Sequence, residues 1–316
     1  MKREITIYRP LEGRPDNYPD WLQQGNIFYE IGRYTDALLS YDRALEYAQG
    51  DYWLFYRRAR TLEWLGYFEE AIANYEQAMA IDPDDYWACY EKAFPQRRLG
   101  DYEGAIETYK QALKIRPDDY WAWYHRGFVA LEDLGWYREA IGCFQQALEV
   151  EPDDYWACYR QGDAYRQLGN YQQALGCYNQ ALLIRPQDYW SLYQMANTLR
   201  CAGNLATAVL TYDQALKVLP EDYWCWYQRA ESLRRLGRYS EAIVSYKHAL
   251  LSKEEDDFTL YNLACCYAQL GEVNLAMSHL ERATKLNPRQ CLANARADSD
   301  FDRIRNHPRF IQLVFD

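Results

Sequence analysis

The sequence predicts an all-α solenoid of eight consecutive helical hairpins, and three observations carry that prediction. The triplet Asp-Tyr-Trp recurs six times, with its tryptophans at Trp53, Trp87, Trp121, Trp156, Trp190 and Trp224, 34 residues apart except for one interval of 35. A glycine ladder keeps the same register through Gly32, Gly66, Gly100, Gly135, Gly169, Gly203, Gly237 and Gly271. Alanine and aromatic columns run beside it: Ala37, Tyr41 and Ala44 return as Ala105, Tyr109 and Ala112, and finally as Ala276, Leu280 and Ala283. A fixed period of this length marks stacked supersecondary units, each burying its apolar face only against its neighbours.

The elements follow in order. Residues 1–17 lack periodicity and contain Pro10 and Pro15, so they read as an extended arm. The array occupies residues 18–290. The six units that carry the triplet open a first helix at it. The acidic residues ahead of it, as in Pro117-Asp118-Asp119, cap that helix and suit the positive end of its dipole. The ladder glycine stops the first helix, because glycine accepts the left-handed backbone found there. Ala105, Tyr109 and Ala112 then fall at i, i+4 and i+7, one face of a second helix. Small alanines let the helices approach closely, and the aromatic residue fills the space between them. Prolines at 83, 117, 152, 186, 220 and 288 close the hairpins.

The third and fourth units break the pattern. Pro95 falls inside a first helix, where it removes a hydrogen bond and crowds the preceding turn. The stretch from Gly127 to Gly135 carries one extra residue. Drift in a tolerant array would account for both, and so would a bent or widened groove at this point. Residues 291–316 carry Phe301, Ile304, Phe310, Ile311, Val314 and Phe315. A terminal unit needs its apolar face covered, so this segment reads as a cap, with a docking or groove-blocking tail as the alternative.

The run Trp21-Leu22-Gln23-Gln24-Gly25, followed by Ile31-Gly32-Arg33-Tyr34, resembles the tetratricopeptide repeat (TPR), and the likeness covers most of the chain. The copies are similar to those of bacterial and cyanobacterial multi-TPR proteins. This resemblance implies a right-handed superhelical solenoid with a binding role and no catalysis. In the unit starting at Tyr155, Cys158, Gly162 and Tyr165 match the family's packing columns. Trp156, Tyr159, Asp163 and Arg166 share a second stripe, rotated by roughly a third of a turn from the first. The resemblance implies that this stripe lines a concave partner-binding groove. The implied lining is Trp53, Tyr56, Trp87, Tyr90, Trp121, Tyr124, Trp156, Tyr159, Trp190, Tyr193, Trp224 and Tyr227, with Arg97, Arg166, Arg200 and Arg234 deeper along the helices. The competing reading makes the tyrosines core filler and the tryptophans packing between hairpins. Asn26 and Asn197 fall in the Asn column of the family's carboxylate clamp, but its Lys column holds Leu22 or tyrosine. That clamp is therefore disfavoured.

Composition excludes several other classes. With 49% hydrophobic and 16% aromatic residues the chain is not disordered. A formal net charge of −11 argues against nucleic acid as ligand. No apolar run approaches the roughly 18 residues of a membrane span, and the start lacks a signal-peptide pattern, so a soluble cytoplasmic protein is expected. The stretch begins with Met and carries its own C-terminal segment, which favours a stand-alone protein. Nine cysteines without zinc-type spacing read as reduced apolar filler. The histidines at 125, 248, 279 and 307 lie far apart in the repeat frame, and no phosphate loop or nucleophile elbow is present. No catalytic residue, metal or cofactor is expected. The sequence points to a scaffold for a protein or peptide partner. The alternatives are a binder that stacks a small molecule, pigment or glycan on its tryptophans, and a regulatory arm for an effector domain.

Overall fold

The computed structural model describes residues 17–48 and 50–315, so the expected arm, save Asn17, lies outside the described residues. Among them every regular element is helical. The chain divides into two compact units, residues 1–152 and 153–316.

The first unit holds four hairpins: α1 (Tyr18–Glu30) with α2 (Tyr34–Tyr47), α3 (Tyr52–Leu65) with α4 (Phe68–Ile81), α5 (Tyr86–Arg98) with α6 (Tyr102–Ile115), and α7 (Tyr120–Phe128) with α8 (Tyr137–Val150). The second holds four more: α9 (Tyr155–Gln167) with α10 (Tyr171–Ile184), α11 (Tyr189–Cys201) with α12 (Leu205–Val218), α13 (Tyr223–Arg235) with α14 (Tyr239–Ser252), and α15 (Asp257–Gln269) with α16 (Val273–Leu286). It ends in α17 (Pro288–Ala297), a 3-10 turn (Ser299–Phe301) and α18 (Pro308–Phe315). Each first helix packs on its own second helix, and within each unit the second helix packs on the next first helix.

The sequence columns account for these elements. Asp51, Asp85, Asp119, Asp154, Asp188, Asp222 and Asp256 each accept a hydrogen bond from the backbone N–H three residues on, at 2.6–3.0 Å. Each thereby satisfies one of the free donors at a helix start. At the other end, Gly66 adopts φ 82°, and the next residue, Tyr67, donates its N–H to the Leu62 carbonyl at 2.9 Å. That bond closes the helix in the manner a left-handed terminal residue allows. In the second helices, Tyr41, Tyr75, Phe144, Tyr178, Tyr212 and Tyr246 are fully buried between their alanines. Eight of the nine cysteines are buried and all are free.

Gly162 shows how tight this contact is. A Cβ built there would lie 2.8 Å from the Tyr178 ring. Other repeats place alanine at the same position, at Ala59, Ala93, Ala196, Ala230 and Ala264, and all five are fully buried. Gly162→Ala is therefore expected to cost about 1 kcal/mol or less, whereas Gly162→Leu overpacks the site and is expected to cost about 3 kcal/mol. Denaturant unfolding of the two variants checks this; equal costs would show that the ring does not set the space.

The third and fourth hairpins absorb their irregularities differently. Pro95 stays inside α5 and is buried, and the helix continues past it, with Leu99 N–H reaching the Pro95 carbonyl at 3.1 Å. The extra residue after α7 is taken up by a π-helical turn, Val129–Asp133, in which Leu134 N–H bonds the Val129 carbonyl at 3.2 Å. Inserting one residue without breaking a helix is what a π-bulge does.

Candidate functional site

The expected stripe divides into an exposed row and a buried one. The six triplet tryptophans are 44–59% exposed. Each indole stands edge-on to the tyrosine before it, with ring centroids 5.0–5.2 Å apart and interplanar angles of 74–85°. Such edge-to-face pairs satisfy the ring quadrupoles and hold the indole in one orientation. Phe258, next in the ladder, is likewise exposed.

The tyrosine column behaves otherwise. Tyr56 and Tyr159 are buried, and Tyr90, Tyr124, Tyr193 and Tyr227 are half-buried. These rings pack on the aromatic residue of their own second helix: Tyr56 on Tyr75 at 6.0 Å, Tyr159 on Tyr178 at 5.9 Å, Tyr227 on Tyr246 at 5.8 Å. They pack inward on the second helices, while the tryptophans stay exposed.

The arginine column is largely engaged within the chain. Arg97 makes a bidentate pair with Asp133, at 2.5 and 3.2 Å, and lies 4.7 Å over the Phe128 ring. Arg234 pairs with Glu231 at 2.9 Å and with Asp300 of the C-terminal segment at 2.6 Å. Arg166 stands 3.7 Å from Asp163. Arg200 forms no ion pair among the described residues, and its Nε is buried without a partner.

Several contributors are visible only in the structure. The triplet tyrosines bridge successive hairpins: Tyr155 donates to Asp188 at 2.7 Å, Tyr223 to Asp256 at 2.8 Å, and Tyr52 to Asp85. Arg116 and Arg185, each just ahead of a turn proline, lie over the triplet rings, at 4.3 Å from Tyr86 and 4.1 Å from Tyr155. Trp123 and Trp226 donate to the carbonyls of Pro117 and Pro220, at 2.8 and 2.7 Å, and so fasten turns. The clamp-like Asn26 and Asn197 accept from Tyr41 and Tyr212, at 2.9 and 2.6 Å, and Asp163 and Glu231 accept from Tyr178 and Tyr246 in the same way.

In the second hairpin that last position is Arg60, which has no acceptor to offer. The Tyr75 hydroxyl and Glu63 Oε1 are both buried there without a hydrogen bond. Burial, reinforced by Glu91, pushes the Glu63 carboxyl up to about 8. The folded chain therefore holds a proton that the unfolded chain releases near pH 4. The sign follows: the stability this group contributes is present at low pH and is lost as pH rises toward 8. Relative to Glu63→Gln, the native chain is expected to lose on the order of 2–4 kcal/mol between pH 5 and pH 8. Urea unfolding of both proteins at the two pH values checks this; parallel behaviour would show that Glu63 is not so buried in solution.

The fifth and seventh helices flank a recess of about 260 Å³ lined by Tyr90, Glu91, Phe94, Arg97, Tyr109, His125, Phe128 and Val129. His125 stacks with Tyr109 at 6.3 Å and with Trp121 at 5.8 Å. Burial, with Arg97 beside it, holds its imidazole below the usual value, which favours the neutral ring. The recess adjoins both irregularities, since Phe94 precedes Pro95 and Val129 opens the π-helical turn.

Six segments of the chain match models described as tetratricopeptide repeat or TPR repeat: residues 53–85, 97–133, 122–154, 155–188, 211–244 and 258–290, together more than half of its length. No curated protein matches it in sequence. Among solved structures it is similar to the C-terminal part of a TPR repeat-containing protein from Cytophaga hutchinsonii, with TM-score 0.65 and 16% identity over 75% of this chain and 98% of that one. A tetratricopeptide repeat protein from Parabacteroides merdae gives TM-score 0.55 and 20% identity, covering 82% and 98%. YrrB, described as a TPR protein with an unusual peptide-binding site, gives 0.52 and 21%, covering 58% and 95%. At these identities the likeness concerns the fold.

Proposed function

This chain belongs to the tetratricopeptide repeat family, and we propose that it is a non-enzymatic scaffold holding a segment of a partner protein against the indole-bearing face of its first helices. The observation that carries this reading is the exposure of all six triplet tryptophans, held in one orientation at equivalent places. Scattered apolar residues on a surface are ordinary, whereas a repeated row of large ones needs a partner to cover it. Tryptophan is also among the residues that dominate association energies. The peptide-binding site ascribed to YrrB lends the reading support from the same fold. No described helix is long and apolar enough to cross a membrane.

The exposed indole faces also support a second reading, a binder that stacks planar or sugar rings. Base stacking on aromatic side chains sets the scale, at roughly 1–3 kcal/mol per ring. One experiment separates the two: the tagged chain is recovered from native cells, and both its protein and its non-protein companions are identified. A stoichiometric polypeptide that rebinds the purified chain supports the scaffold. A glycan or pigment with no polypeptide supports the second reading and sinks the first.

A further inference from the structure

The first unit holds a carboxylate that the packing does not use. Glu91 of α5 lines the recess beside α7, and no hydrogen bond or ion pair reaches it among the described residues; burial raises its carboxyl above the usual range, and Arg60, outside the recess lining, offsets this only in part. Every other charge in the recess is accounted for. Arg97 is committed to Asp133, and His125 is held toward its neutral form. The remaining walls are aromatic, with Tyr90 against Tyr109 at 5.7 Å and against His125 at 6.2 Å. A second polar vacancy lies close by. Glu63 is near enough to feel the charge of Glu91, and the hydroxyl of Tyr75, a residue 0% exposed, is buried beside it with no partner. A buried carboxylate with no hydrogen bond or ion pair, set among ring faces, gains from a cation brought to it, through its own charge and through the negative faces of the rings. A volume of about 260 Å³ has room for one long side chain and is small for a whole ligand. Both helix irregularities, Pro95 and the π-helical turn, adjoin this point, and π-bulges recur at functional sites.

We infer that this recess receives the cationic end of a lysine or arginine side chain from the partner segment. The inference rests on the scaffold reading and names the chemistry of the partner at one place. The overall net charge of −11 draws a basic segment in the same direction.

The test uses the full chain and four fluorescein-labelled nonapeptides, alike except for a central Lys, Arg, norleucine or Glu. The Lys and Arg peptides are expected to bind at least tenfold tighter than the norleucine peptide, and the Glu peptide more weakly still. In Glu91→Gln the advantage over norleucine is expected to fall to threefold or less. Glu63→Gln, which leaves the recess lining intact and replaces a group held neutral up to about pH 8, serves as a control and is expected to leave the advantage within twofold. Circular dichroism confirms that each variant is folded. Equal binding of the Lys and norleucine peptides overturns the inference, as does a cationic preference that survives Glu91→Gln, or no binding of any peptide at millimolar concentration. Binding without charge preference would leave the scaffold reading standing, because that reading fails only if native polypeptides are not retained.

Discussion

Deletion of residues 291–316 is expected to lower the melting temperature by more than about 10 °C and to make the chain aggregate. The deleted stretch includes Cys291, Ala295, Phe301, Ile304, Phe310 and Val314, all within 3% of full burial. They share one apolar cluster with Leu233 of α13, Tyr246 of α14, Leu260 and Leu263 of α15, and Met277 and Leu280 of α16. Phe301 stands edge-on to Tyr261 at 5.6 Å and lies 5.4 Å from Phe310. Polar contacts fasten the same segment: Tyr261 donates to Asp298 at 3.0 Å, Arg234 pairs with Asp300 at 2.6 Å, and Arg309 pairs with Glu281 at 2.7 Å. Truncating one buried phenylalanine to alanine costs about 3–5 kcal/mol, so the Phe301→Ala and Phe310→Ala variants give graded versions of the deletion. Differential scanning calorimetry of the three proteins decides the matter. An unchanged melting temperature in the deletion would mean that the segment does not cover the last hairpin in solution.

Replacing Trp156, Trp190 and Trp224 together by alanine is expected to weaken partner binding at least a hundredfold and stability only slightly. The three indoles are 46%, 59% and 57% exposed, so only about half of each side chain is covered. What is lost is an edge-to-face contact with the preceding tyrosine at each site, a second with Tyr227 at Trp224, and the Arg185 contact at Trp156, each ring pair worth roughly 0.5–1.5 kcal/mol. At a binding hot spot the same truncation costs about 2 kcal/mol or more per residue, which multiplies over three sites even if the effects are less than additive. Fully buried tryptophans would each cost about 3–5 kcal/mol of stability instead. Thermal unfolding and partner pull-down, run on the same preparation, distinguish these outcomes. Collapse of the fold would assign the row to packing. A stable variant that keeps its partner would remove the tryptophans from the binding face.

Much of this arrangement was legible in the sequence because repetition multiplies weak signals. One Gly or one Asp predicts little, but glycines from Gly32 to Gly271 in fixed register mark helix ends, and the structure places a left-handed residue at each. The separation of tryptophan from the packing columns also followed from helical geometry, since a third of a turn divides the two stripes. The arginines show where such reading stops. Arg97 looks free along its own helix, but its partner Asp133 lies 36 residues away, inside the π-helical turn created by the extra residue. Arg234 meets Asp300 across 66 residues, in a segment outside the period altogether. The Glu63–Tyr75 vacancy was hidden for a related reason. It arises because one repeat carries Arg60 where others carry an acceptor, and that matters only once Tyr75 is seen to point there.

The tyrosine–aspartate bridge has a consequence for how such an array grows. A unit with the triplet carries its connector in both halves: a tyrosine that reaches forward, and a capping aspartate that receives the reach from behind, as in Tyr155 with Asp188 and Tyr223 with Asp256. The aspartate must be present anyway to start its own helix, so the socket comes with the fold. A copied unit of this kind is spliced in with matching ends on both sides, and its joints need no new mutation to fit. Gain or loss of whole hairpins is then nearly neutral at the joints, while insertion of part of a hairpin leaves a hydroxyl and a carboxylate facing the wrong neighbours. Adding or removing one whole repeat would therefore change the length of the array by one step while leaving its joints matched.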